Sequence, residues 1–460
     1  MITEDGRMAT FNARNLNAPM GIRPITGLAD DEKVLSIDYR PATGQLYGIT
    51  NQSRLVVINE TNGEATALGT APLDPMIDGD KPSLDFNPTV DRIRLVTATG
   101  QNLRLHPELG TVVAVDGPIS GGNNPRIGAV AYTNSFAGSN STLLYDIDFE
   151  SDKLFIQDPP NDGGLAEVGD LGVDLEGIGS FDISPDNIFS LATVRDGDRT
   201  RLFTINLSTG KATLVGNFDL PVIALSFKTN PIAYATDANN RLYRFNFMRP
   251  QMNSIALQGM MQGETVVGLD FRPQNGQLYA ITSASRMLTI NTANGATAVV
   301  GTLDPMLEGD SFGFDFNPTV DRIRLVSNTG QNLRLHPDLG TVVAVDGTLN
   351  PGMPFVNGAA YTNNFAGTTS TVLYVMDSER NQLFRQDPPN DGGLVLIGDL
   401  GVDIEAENGY DIGGKSNIGY ALLKVDGAYA IYSVSNESGS VEKLVDFNIL
   451  ATSFAVGLGF

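Results

Sequence analysis

A chain of 460 residues without a single cysteine excludes disulfides, thiolate metal sites and a cysteine nucleophile. Its formal net charge of −23 argues against nucleic acid or an anionic membrane surface as a partner and leaves divalent cations or cationic surfaces open. Fifty glycines and 24 prolines require many turns and leave little room for long helices. No apolar run of about 18 residues is present, so no membrane insertion is expected. The first twenty residues lack the apolar stretch of a signal peptide, so either the protein stays inside or a leader has been removed.

The first clear unit runs through 34–39, 45–50, 54–59 and 64–69, four short pieces rich in β-branched and aromatic residues and bounded by turn formers. This pattern predicts a four-stranded antiparallel meander. Comparable units follow at about 82–117, 127–172, 178–216 and 222–258, and then at about 266–301, 312–347, 356–401 and 408–447. A spacing of about 40 to 47 residues with four strands per unit is the signature of β-propeller blades.

The sequence also says nearly everything twice. Phe86 to Val96 returns letter for letter at Phe316 to Val326, and Thr99 to Pro107, Leu109 to Gly117, Gln157 to Leu165 and Gly169 to Asp174 each have an identical later copy. The halves 1–230 and 231–460 are therefore read as two five-blade propeller units. Residues 1–12 resemble the later part of the stretch 232–246, whereas 453–460 resemble the opening strand at 222–227. Each half is thus cut inside a blade. Two arrangements follow: two tandem five-bladed propellers, each sealed by its own end strands, or one ten-bladed ring sealed by Phe460 meeting Met1. The tandem pair is favoured, because duplicating a sealed unit leaves no intermediate with open sheet edges.

The segments Asp85 to Leu95, Gly100 to Pro107, Ala131 to Asn134 and Gly169 to Gly172 resemble the bacterial domain-of-unknown-function family numbered 4394, in both halves. The resemblance implies a secreted or cell-surface propeller-like protein, and hence an extracellular or cell-envelope location. It supplies no activity and no catalytic residues.

Candidate chemistry begins with the acidic loops. Asp78 and Asp80 flank Gly79 shortly before Asp85, and Glu308, Asp310 and Asp315 repeat the arrangement. Alternating carboxylates around a glycine suit a calcium ion, which takes six to eight oxygens. The competing reading is a solvated turn. A second cluster, Asp170, Asp174 and Glu176 with its copy Asp399, Asp403 and Glu405, admits either a cation or a paired-carboxylate hydrolase, the latter by analogy of fold alone. Arg92 and Arg94, and likewise Arg322 and Arg324, share a strand face and are candidates to clamp a carboxylate or phosphate. The structural alternative is that Asp91 and a nearby arginine fix the turn between blades. His106 and His336, the only histidines, have no second histidine or cysteine beside them and read as turn residues. The loop Gln157 to Gly164 and its copy Gln386 to Gly393 present either a binding surface or a demanding turn.

The expected function is a non-catalytic scaffold for a protein, glycan or small-molecule ligand, with calcium as the candidate cofactor and a monomer as the expected state. A hydrolase or lyase with central carboxylates and a purely structural or adhesive module are the alternatives. The copies differ at Lys81 and Pro82 against Ser311 and Phe312, at Arg126 against the segment Pro354 to Val356, and at Ser184 and Pro185 against Gly413 and Gly414. Divergence in ligand is expected at such loops.

Overall fold

The computed structural model describes every residue except 13, 14, 17, 80, 176–178, 248 and 406–408, and leaves the side chains of 196 and 249–251 undescribed. The chain divides into two compact units, Met1–Asn230 and Pro231–Phe460. Ten four-stranded antiparallel sheets account for its regular structure, with one three-residue 3-10 turn at Pro389–Asp391 among the described residues. This is the all-β, propeller-like architecture that the strand spacing implies.

Within a sheet the burial changes from strand to strand. Val34–Tyr39 and Leu46–Thr50 are buried almost throughout, because both of their faces pack against neighbouring sheets. The last strand of the following sheet, Thr111–Val115, instead alternates between exposed and half-buried, as expected of an edge facing water. Aromatic rings fill the space between adjacent sheets: Tyr47 and Phe86 meet edge to face at 5.0 Å, and their copies Tyr279 and Phe316 do so at 5.1 Å.

In the first unit the five inner strands are Val34–Tyr39, Pro82–Asn87, Ile127–Tyr132, Gly179–Ile183 and Val222–Ala224, and each packs on the next. Val222–Ala224 packs in turn against Val34–Tyr39. The stretch 222–258 does not form one sheet. Val222–Ala224 pairs with Ile2–Thr3 and so joins Arg7–Thr10 and Gly21–Pro24, while Ala233–Asp237 pairs with Ala451–Val456. Each sheet therefore draws all four strands from one unit.

Candidate functional site: two buried carboxylate triads

Three inner strands of the first unit each carry an aspartate flanked by apolar residues: Asp38 between Ile37 and Tyr39, Asp85 between Leu84 and Phe86, Asp182 between Phe181 and Ile183. All three are buried, and one carboxylate oxygen from each lies within 4.8 Å of the others. Asp270, Asp315 and Asp411 repeat the arrangement in the second unit.

Each carboxylate bridges to the neighbouring sheet. Asp38 accepts the Phe86 amide at 2.8 Å, Asp85 the Tyr132 amide at 3.0 Å and Asp182 the Phe227 amide at 2.5 Å. Ser226 Oγ donates to Asp38 at 2.8 Å. In the second unit Asp270, Asp315 and Asp411 accept the amides of Phe316, Tyr361 and Val456 at 2.7, 2.9 and 2.7 Å. Asp315 Oδ2 is buried and has no hydrogen-bond partner among the described residues.

Burial removes water from these groups, and that is the largest effect on their ionisation. It raises Asp38 and Asp411 to about 7, although the backbone amides they accept favour the charged form. Asp85 is pushed well above the ordinary carboxylate range by burial and then by the charges of Asp38 and Asp182; Asp315 is pushed likewise by burial, Asp270 and Asp411. Three carboxyls this close and this buried need protons or a cation between them.

The other candidate residues lie elsewhere. Asp78, Glu308 and Asp310 are exposed and belong to neither triad, and Asp80 lies outside the described residues. The candidate loop set is thereby divided, because Asp85 and Asp315 point inward from buried strands while Asp78, Glu308 and Asp310 face solvent. Arg94 is 2 % exposed and donates to Asp116 at 2.6 Å and to Asn161, in the loop of the next sheet, at 2.7 Å. Arg324 does the same with Asp346 and Asn390 at 2.6 and 2.9 Å. The carboxylate these arginines hold is the protein's own. Arg92 and Arg322 are half-buried and donate to the backbone carbonyls of Asp91 and Asp321.

Asp91 takes up the left-handed conformation at φ 51° and accepts Arg40 Nε of the preceding sheet at 2.9 Å, so an arginine does fix this turn to its neighbour. His106 Nδ1 lies 2.9 Å from Glu108, which also pairs with Arg40, and His336 Nδ1 accepts the Asp338 amide at 3.2 Å. The loop from Gln157 serves as a dock: Asn161 receives Arg94 through its side chain and the Gly117 amide through its carbonyl at 2.9 Å. Asp170, Asp174, Asp399 and Asp403 are exposed, Glu405 pairs with Lys424 at 3.0 Å, and Glu176 lies outside the described residues.

One buried carboxyl stands apart from its copy. Among the described residues neither oxygen of Asp146 finds a hydrogen-bond partner, and burial holds it well above the usual carboxylate range against the pull of Arg94. Val375 occupies its place in the second unit. Asp146→Val is therefore expected to stabilise the first unit by about 1–3 kcal/mol, the usual cost of an unsatisfied buried polar group. An unchanged or lowered urea midpoint would contradict this.

A family model for DUF4394, a domain of unknown function, matches residues 7–226 and again 241–455. The chain belongs to the DUF4394 family. Its two DUF4394 copies coincide closely with the two compact units, so each copy carries one carboxylate triad. No curated protein matches the chain. Among solved structures it is similar to PorZ, a surface component of the type-IX secretion system of Porphyromonas gingivalis, at 15 % identity and a TM-score of 0.26, over 93 % of this chain and 55 % of that one. It is also similar to the Dos1 propeller, at 11 % identity and a TM-score of 0.26, over 64 % of this chain and 75 % of that one. The chain thus spans little more than half the length of PorZ.

Proposed function

We propose that this DUF4394 protein is a non-catalytic binding scaffold of the extracellular space or cell envelope, and that each unit is braced by a calcium ion at its carboxylate triad. The observation that carries the cation is the pair of triads, three buried carboxylates within 4.8 Å in each unit, together with the unpartnered Asp315 Oδ2. Calcium accepts carboxylate oxygens at flexible geometry, and its charge offsets the burial, and the repulsion between carboxylates, that otherwise force protons onto these groups. A site outside the cell need bind only weakly, with Kd on the order of 10⁻⁴–10⁻³ M as in other extracellular modules. The location follows what the family resemblance implies. The scaffold role is supported by duplication, since two linked sites raise avidity without new contacts.

Calorimetry on chelator-treated protein is expected to show two calcium equivalents, one fewer in Asp85→Asn and none in the Asp85→Asn, Asp315→Asn double variant. A titration without heat, and without a rise in melting temperature at several millimolar calcium, would remove the cation from this reading.

A further inference from the structure

The second unit has a cavity of about 410 Å³ where its five inner strands begin. Its wall includes Thr265, Ser311, Asn357 and Thr452, with Phe312 and Phe314 supplying apolar faces. Asn357 and Ser311 are each 4 % exposed, and among the described residues neither side chain makes a hydrogen bond. A free amide and a free hydroxyl inside a small cavity are polar groups waiting for a partner.

The first unit fills the same place. A Cβ atom on Gly128 would lie 2.3 Å from Phe149 Cδ2, and one on Gly179 would lie 2.4 Å from Phe149 Cζ, so the Phe149 ring covers both glycines. Strand register makes Gly128 equivalent to Asn357 and Phe149 equivalent to Ser378, because Ile127 pairs with Asp148 as Val356 pairs with Asp377. Ser36, Ser83 and Ser180 also line the inner strands of the first unit, two residues before each triad aspartate, and accept the amides of Leu84, Val130 and Leu225. Glycines 268, 313 and 409 stand there in the second unit and line the cavity. The differences between the copies thus converge on one spot: a plug and three hydroxymethyl groups are removed, and an amide is added.

We infer that this cavity is a binding site, particular to the second unit, for a neutral hydroxyl-bearing small molecule of one or two sugar rings. Among the described residues its lining has no lysine, arginine or histidine, and its charged member is Asp310, exposed and tied to Asn328 at 2.6 Å. Such a wall disfavours phosphates and carboxylates, as does the net charge of −23. Amide and hydroxyl groups suit sugar hydroxyls, and phenylalanine faces suit the C–H side of a pyranose ring. The inference adds a ligand class to the scaffold reading but uses none of the triad carboxylates, so its failure would leave the calcium titration unaffected.

The test is saturation-transfer NMR and calorimetry with methyl glucoside, methyl galactoside, maltose and cellobiose, with glucuronate as the charged control. At least one neutral probe is expected to bind saturably at one site per chain, and glucuronate is expected not to bind. Ser378→Phe rebuilds the plug and Asn357→Gly removes the amide; both residues occur naturally at these positions in the first unit. Each variant is expected to weaken binding at least about tenfold, equivalent to about 1.4 kcal/mol. The absence of binding by all four neutral probes, or binding of equal strength in both folded variants, would overturn the assignment.

Discussion

Chelator-treated protein is expected to lose stability as the pH rises from about 5 to about 8, by on the order of 3 kcal/mol for each unit. Burial raises Asp38 and Asp411 from 3.8 to about 7. Between those two values the native triad holds protons that the unfolded chain has already released, so the free energy of unfolding falls with pH. The contribution is complete below 3.8 and is lost as the pH passes through about 7. A raised carboxyl of this kind acts opposite to Glu108, which Arg40 and His106 hold at about 2 against the effect of burial. The stabilising share of Glu108 is present above its unfolded value and disappears only in strong acid, outside this window.

Calcium is expected to flatten the profile, restoring about 2.7 kcal/mol at a concentration a hundredfold above Kd. Asp85→Asn keeps an oxygen for the Tyr132 amide and removes one of three charges. Near pH 8 without calcium this variant is expected to be more stable than the parent, and it should no longer respond to calcium in the first unit. Urea midpoints measured across the pH series decide the matter. A profile that rises steadily from pH 5 to 8 without calcium would show that the triads hold no extra protons.

Arg40→Met is expected to cost the first unit about 3–5 kcal/mol, because it leaves Asp91 and Glu108 buried without their cation. The Arg40 side chain is 1 % exposed and those of its partners are 7 % and 8 % exposed. The equivalent Arg272 is 9 % exposed, but its partners Asp321 and Asp338 are 27 % and 58 % exposed. Water can solvate those carboxylates once the arginine is gone, so Arg272→Met should cost less than half as much. Equal losses in the two variants, read as shifts in urea midpoint, would show that burial does not set the strength of these inter-sheet pairs.

Much of the fold was legible because strand and turn chemistry are local. Runs such as Leu46–Thr50 and Leu55–Ile58, punctuated by glycine and asparagine, need no distant partner to be recognised. The end strands were legible because duplication makes the residues near 222 and 453 comparable. The triads were only half visible. Asp85 and Asp315 stood out beside acidic loops, but Asp38 and Asp182 are solitary carboxylates in their strands, and what joins them is packing between different sheets. The readable signal was an aspartate set between two apolar residues at the centre of a buried first strand, repeated in three units of each half.

Arg94 shows the same boundary between local and distant information. Strand alternation places it beside Arg92, yet its partners Asp116 and Asn161 lie 22 and 67 residues away. Comparison of the copies drew attention to Arg126 against Pro354 to Val356, immediately beside the exchange of Gly128 for Asn357. The matching exchange of Phe149 for Ser378 gains its meaning only when register brings those strands together.

The pairing of end strands also decides how a unit would respond to tension. Ile2 faces Ala224 and Ala233 faces Val456 in antiparallel register, so in each unit the two chain ends leave the same end of one strand pair. A force pulling those ends apart would break the ladder one hydrogen bond at a time, as a zip opens, instead of loading all its bonds in shear. Each unit is therefore expected to offer little mechanical resistance where its end strands pair.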